Sequence, residues 1–163
     1  MITFTNNKRP RSEKAQTMVE FALVFPLILL ITYGIIEFGR MVFMYAAITG
    51  SAREGARYGA ATGDSSAPQF ADCEGIRDAV RSTAFLISNP TISIRYDKGP
   101  GLGQIAATCE SLNPNDIKLG NRIIVTATTY YSPWIAFLGL SGFDITSSNA
   151  RTILINIPIK PYP

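Results

Sequence analysis

The stretch from Ala15 to Ala61 constrains this chain more than any other. Sixteen uncharged residues, nearly all apolar, separate Glu20 from Glu37, and the apolar character runs on to Gly39. From Thr17 to Gly39 the segment meets the roughly 20 residues that about 30 Å of hydrocarbon requires. Beyond Gly39 the composition stays helical but turns amphipathic, with Ala46, Ala47, Gly50, Ala52, Gly55, Ala56, Gly59 and Ala60 closely spaced. At about 1.5 Å per residue, a helix from Gln16 to Ala61 would be on the order of 70 Å long, too long for the bilayer alone. The pattern therefore predicts a transmembrane helix over 17–39, its extracytoplasmic continuation over 40–61, and a separate domain over 62–163.

Composition agrees with an anchored domain. The chain has 163 residues, of which 47% are hydrophobic, and that excess is concentrated before residue 50. Its net charge of +3 is also local: in 1–16, Lys8, Arg9, Arg11 and Lys14 face only Glu13, and the remainder is balanced. A basic face of the kind nucleic acid needs is not implied. Lys and Arg beside a span stay on the cytoplasmic side. The tail 1–16 is thus expected inside and residues 40–163 outside, in the inner (cytoplasmic) membrane. A secretory signal peptide is the alternative. Its apolar region runs only about 7–15 residues and ends in a small-residue cleavage site, neither of which fits well here.

Two glutamates within or beside the span call for a reason, because a carboxylate in hydrocarbon is costly. Glu37 lies three residues before Arg40, a spacing that allows an interfacial pair on one helix face. Glu20 lies at the cytoplasmic start, one and a half turns before Pro26, which is expected to kink or loosen the helix.

The segment Ala15-Gln16-Thr17-Met18-Val19-Glu20-Phe21-Ala22-Leu23-Val24-Phe25-Pro26 resembles the processing and anchor region of type IV prepilin-like proteins. Gly39-Arg40 and the run Ser51-Ala52-Arg53-Glu54-Gly55-Ala56-Arg57-Tyr58-Gly59-Ala60 are similar to the TadE/TadG-like family, pseudopilin-type assembly proteins of the tight-adherence (Flp) pilus. The resemblance implies cleavage between Ala15 and Gln16, with alanine where glycine is usual, which makes Glu20 the fifth mature residue. It also implies a prepilin peptidase, other pseudopilins or integral membrane subunits, and the membrane itself as partners. Gly55, Ala56 and Gly59 permit close backbone approach of a packed element. That element is either the chain's own domain or a partner.

Downstream, Thr62 to Pro68 ends the helix with breaker residues. Glu74 to Ser88 places Ile76, Val80, Ala84 and Ile87 on one face, an amphipathic helix starting near Asp72. Ile92, Ile94 and Tyr96 alternate with polar residues before the turn Asp97 to Gly101. Further strands are expected over Arg122 to Tyr131 and from about Asp144 to Ile157, with Ser132 to Gly142 an apolar connection or short helix. The fold class is α+β: the long helix, one short helix and an antiparallel sheet of about three strands.

Cys73 and Cys109 both fall in the outer part, where a disulfide is permitted; two buried thiols are the alternative. The chain contains no histidine. This removes Ser-His-Asp and Cys-His arrangements, and two thiols alone do not make a zinc site. Gly99-Pro100-Gly101-Leu102-Gly103-Gln104 lacks the Lys-Ser/Thr of a phosphate loop and reads as a hairpin loop. No enzyme activity, metal, cofactor or small-molecule substrate is expected. Two readings stay open: a minor pseudopilin acting by helix packing and protein contacts, or an uncleaved single-pass accessory subunit of a larger membrane complex.

Overall fold

A computed structural model describes residues 13–62, 68–85, 87–134 and 141–155. The basic tail up to residue 12, the loop 63–67, the apolar run 135–140 and the expected strand end at 156–157 lie outside the described residues. Helix α1 runs unbroken over Glu13–Ala60 and contains Pro26. The chain divides into two compact units, Met1–Gly39 and Arg40–Pro163.

In the first unit nearly every described side chain is exposed, including Met18, Phe21, Leu27 and Ile35. Phe21 and Phe25, one turn apart, stack with ring centroids 5.2 Å apart. A helix that is apolar all round belongs in the core of a large protein or in a membrane. Among the described residues, this one helix is long and apolar enough to cross a membrane.

The second unit is α+β. After a 3-10 turn at Gln69–Ala71 comes α2, Cys73–Thr83, whose first turn is capped by Asp72 accepting from the Gly75 amide at 2.9 Å. The sheet has four antiparallel strands: β1 (Thr91–Asp97), β2 (Gln104–Ala106), β3 (Arg122–Tyr131) and β4 (Phe143–Thr152), ordered β2-β1-β3-β4. The sheet thus gains one strand over the sequence expectation. That strand, β2, is only three residues long and returns from the glycine loop to pair Ala106 with Tyr96. Gly99, Gly101 and Gly103 hold φ of 134°, 75° and 91°, values that admit glycine and few other residues.

Helix α2 ends at Thr83, short of the expected Ser88. The hydroxyls of Ser82 and Thr83 both donate to the Ala79 carbonyl, and local bonds of this type compete with further helix. Ile87 nevertheless reaches the core from the following turn.

The core lies between the helices and one face of the sheet. Strict alternation in β3 turns Ile123, Val125 and Ala127 inward, where all are fully buried. They meet Ile48, Ala52 and Ala56 of α1 and Ile76 and Val80 of α2, also fully buried. Each large aliphatic side chain in this layer contributes about 1.5–3 kcal/mol by leaving water. The opposite face is polar, with Thr126 bonded to Ser148 and Thr128 to Thr146 across β3 and β4.

Candidate functional site

Within the second unit, the end of α1 approaches the sheet through missing side chains. A methyl group at Gly59 would collide with Ile123 and lie 3.1 Å from the Ile76 side chain. One at Gly55 would collide with Val80 and lie 3.2 Å from Val125. As the helix number falls from 59 to 55, the β3 neighbour rises from Ile123 to Val125, so the helix runs antiparallel to β3. Four helical residues rise about 6 Å and two strand residues about 6.6 Å, so each helical turn meets one inward strand position. Ala56 packs in the same layer and is fully buried. The small-residue face is thus taken by this chain's own α2 and β3. Arg53 and Arg57 point the other way and are exposed, Arg57 holding Glu54 at 2.8 Å.

Three polar contacts fix the elements around this layer. Tyr58 of α1 donates to Asp72 at 2.7 Å, tying α1 to the α2 cap. The Gly75 amide and then the Tyr58 hydroxyl hold the Asp72 carboxyl below its usual pKa, and donation to Asp72 raises that of Tyr58. Asp97 of β1 accepts two bonds from Arg122 of β3 at 2.8 and 2.6 Å, which lowers the Asp97 pKa. Arg77 of α2 bridges Glu74 at 2.7 Å and also Glu110, whose pKa it lowers.

Cys73 and Cys109 form a disulfide, with Cα atoms 5.8 Å apart. It joins the first residue of α2 to the segment after β2. Beneath it Tyr96 is fully buried, and its hydroxyl donates to the Phe70 carbonyl at 2.5 Å and lies 3.3 Å from the Cys109 sulfur. Burial drives that hydroxyl's pKa far above the ordinary tyrosine range. Sequence reasoning singled out the cysteines but not Tyr96, which alternation alone marked as inward-facing.

Ala15, Gln16 and Glu20 lie in the first turns of α1, all exposed, in the other unit from the disulfide and the glycine face. Within the second unit, α2 links the packing glycines to the disulfide. Among the described residues there is no cluster of His, Cys, Asp and Glu that could hold a metal ion.

A family model described as TadE-like protein matches residues 15–57. Over these residues the chain is similar to the TadE-like family. The TadE-like stretch takes in the apolar helix, the candidate processing residues and the first packing glycine, and ends at Arg57. Comparison with curated proteins and with solved structures returns no match. The sheet and the disulfide, which follow the TadE-like segment, rest on the structure alone.

Proposed function

We propose that this chain is a minor pseudopilin or assembly component of a tight-adherence type IV pilus system, anchored in the inner membrane with its amino terminus in the cytoplasm. The TadE-like match over residues 15–57 carries the reading. The apolar helix supports it, since its uncovered surface needs lipid or like helices around it. In this reading a prepilin peptidase cuts between Ala15 and Gln16, and the new amine of one chain pairs with Glu20 of its neighbour. The four proposed segments are the leader 1–16, the span 17–39, its continuation 40–61 and the extracytoplasmic domain 62–163. The closure of Gly55 and Gly59 by α2 and β3 supports one compact unit over Arg40–Pro163, which leaves the apolar helix for intermolecular packing.

The test is gentle purification of cross-linked protein from native membranes, followed by identification of the proteins held to the span. Pilus-assembly proteins and a prepilin peptidase are the expected company. Recovery only with an unrelated resident membrane complex would reject the pilus reading. One observation favours a second reading, an uncleaved single-pass accessory subunit: alanine at position 15 where glycine is usual in prepilin-like proteins.

A further inference from the structure

We propose that the aromatic end of the sheet rests on the bilayer surface, so that the extracytoplasmic domain is held end-on against lipid. Arg40 is the first Lys or Arg after Lys14, and a cation at the end of a span carries its head to the headgroup level, so Arg40 marks the outer edge of the hydrocarbon. Its guanidinium lies 4.7 Å from the centre of the Tyr131 ring and 4.9 Å from that of Trp134, and it donates to the Ser132 carbonyl. The end of β3 is therefore pinned, side chain to side chain, to the residue that leaves the membrane.

What this end presents suits that depth. Tyr131 packs on Phe143 with centroids 5.3 Å apart, while Trp134 is 70% exposed, Tyr130 62% and Phe143 48%. Trp134 and Tyr130, exposed rings with a polar tip and accompanied by an arginine, match the composition of the membrane–water interface, where the ring lies among headgroups and the polar tip stays wet. The opposite end of the sheet is unlike it. There Lys98, Asp116, Lys118 and Asn121 border an open groove, beside the ion pair of Asp97 with Arg122. From Arg122 to Tyr131 the strand covers about 30 Å at roughly 3.3 Å per residue. A domain docked by its aromatic end holds its charged end that far from the lipid. The proposal does not depend on whether the chain serves a pilus, only on the span.

Trp134 is the one tryptophan of the chain, so the native protein reports its own depth. The full chain is placed in nanodiscs of phosphatidylethanolamine and phosphatidylglycerol, with and without lipids brominated near the top of the acyl chains. Bromolipid is expected to remove most Trp134 emission, while aqueous iodide removes little. A Trp134→Phe, Leu119→Trp variant moves the probe to an exposed position at the charged end. Its emission should respond to iodide and ignore bromolipid. Trp134 emission quenched by iodide and indifferent to bromolipid overturns the proposal. Protection of Trp134 from both quenchers also overturns it, pointing instead to a second copy or another protein on the aromatic end. Bromolipid quenching at both positions refutes the end-on arrangement.

Discussion

Gly55→Ala is the sharpest probe of how α1 meets its domain, and Gly50→Ala is its control on the same helix. At Gly50 an added methyl group meets nothing within 4 Å. Replacing an interior helical glycine by alanine should then stabilise by up to about 1 kcal/mol. At Gly55 the backbone gain is the same, but the methyl group collides with Val80, which is branched at Cβ and has little freedom to turn away. It also lies 3.2 Å from Val125 and 3.5 Å from the Ile76 carbonyl. Overpacking of this kind costs about 1–3 kcal/mol. The backbone term cancels in the comparison, so Gly55→Ala should unfold about 1–3 kcal/mol more easily than Gly50→Ala. Denaturant unfolding of the full chain in detergent, followed by circular dichroism, measures the difference. Adding Val80→Ala to Gly55→Ala should recover part of the loss, a coupling of about 0.5–3 kcal/mol between touching residues. Equal stability of the two glycine variants, or strict additivity of the double mutant, would refute the close approach.

Reducing the Cys73–Cys109 bridge, which spans a sequence separation of 36, should destabilise the second unit. The expected loss is about 4 kcal/mol in the chain-entropy model. Alkylation of unreduced protein followed by mass spectrometry checks the bridge, since two free thiols would end the argument. Asp72 and Asp97 both have folded pKa values below the ordinary carboxylate value. The stability they add is therefore present above about pH 4, where the unfolded carboxylates ionise, and is lost as the pH falls through the folded values. Melting temperature should drop in that acid window, and Asp97→Asn should flatten the drop; an unchanged profile would count against the Arg122 pair. For orientation, a cysteine replacing exposed Arg53 should react with an impermeant thiol reagent on intact cells, and one at Asn6 should not. Intact mass of the native protein tests processing, because a mass that includes residues 1–15 would remove the new amine from Glu20. If cleavage occurs, Glu20→Ala should impair assembly more than Glu37→Ala, read as the amount of assembled complex recovered from membranes.

What the sequence disclosed and what it withheld divide along range of contact. β3 was legible to its end residues because Arg122 to Tyr131 is dense in β-branched and aromatic residues, a composition that local reading detects. The start of α2 was legible for the same local reason, Asp72 being a residue that caps its own helix. β2 was hidden because three residues carry no period, and only pairing with Tyr96 and Asp97 makes Gln104–Ala106 a strand. The glycines at 55 and 59 announced a close approach without naming what approaches, since Val80 and Ile123 lie far along the chain.

Arg40 shows the same division at the place where it matters most for the membrane. Local spacing offered it Glu37, and periodicity can offer nothing further away. The structure sets its guanidinium among residues ninety positions on, where the Ser132 carbonyl accepts its hydrogen bond. A cation at the end of a span has two uses: facing the headgroups alone, or carrying a folded element down to them. The rings of Tyr131 and Trp134, centred 4.7 and 4.9 Å from the guanidinium, favour the second. An arginine held by two aromatic faces contributes on the order of 0.5–2 kcal/mol per ring, depending on how dry the contact is. Arg40→Gln should therefore loosen the end of β3 while leaving the disulfide and the Gly55 layer in place. Hydrogen exchange on the full chain in nanodiscs would show faster exchange confined to the last residues of β3 and the first of β4. Exchange that rises equally through α2 and β1 would mean that Arg40 supports the whole unit rather than its aromatic end.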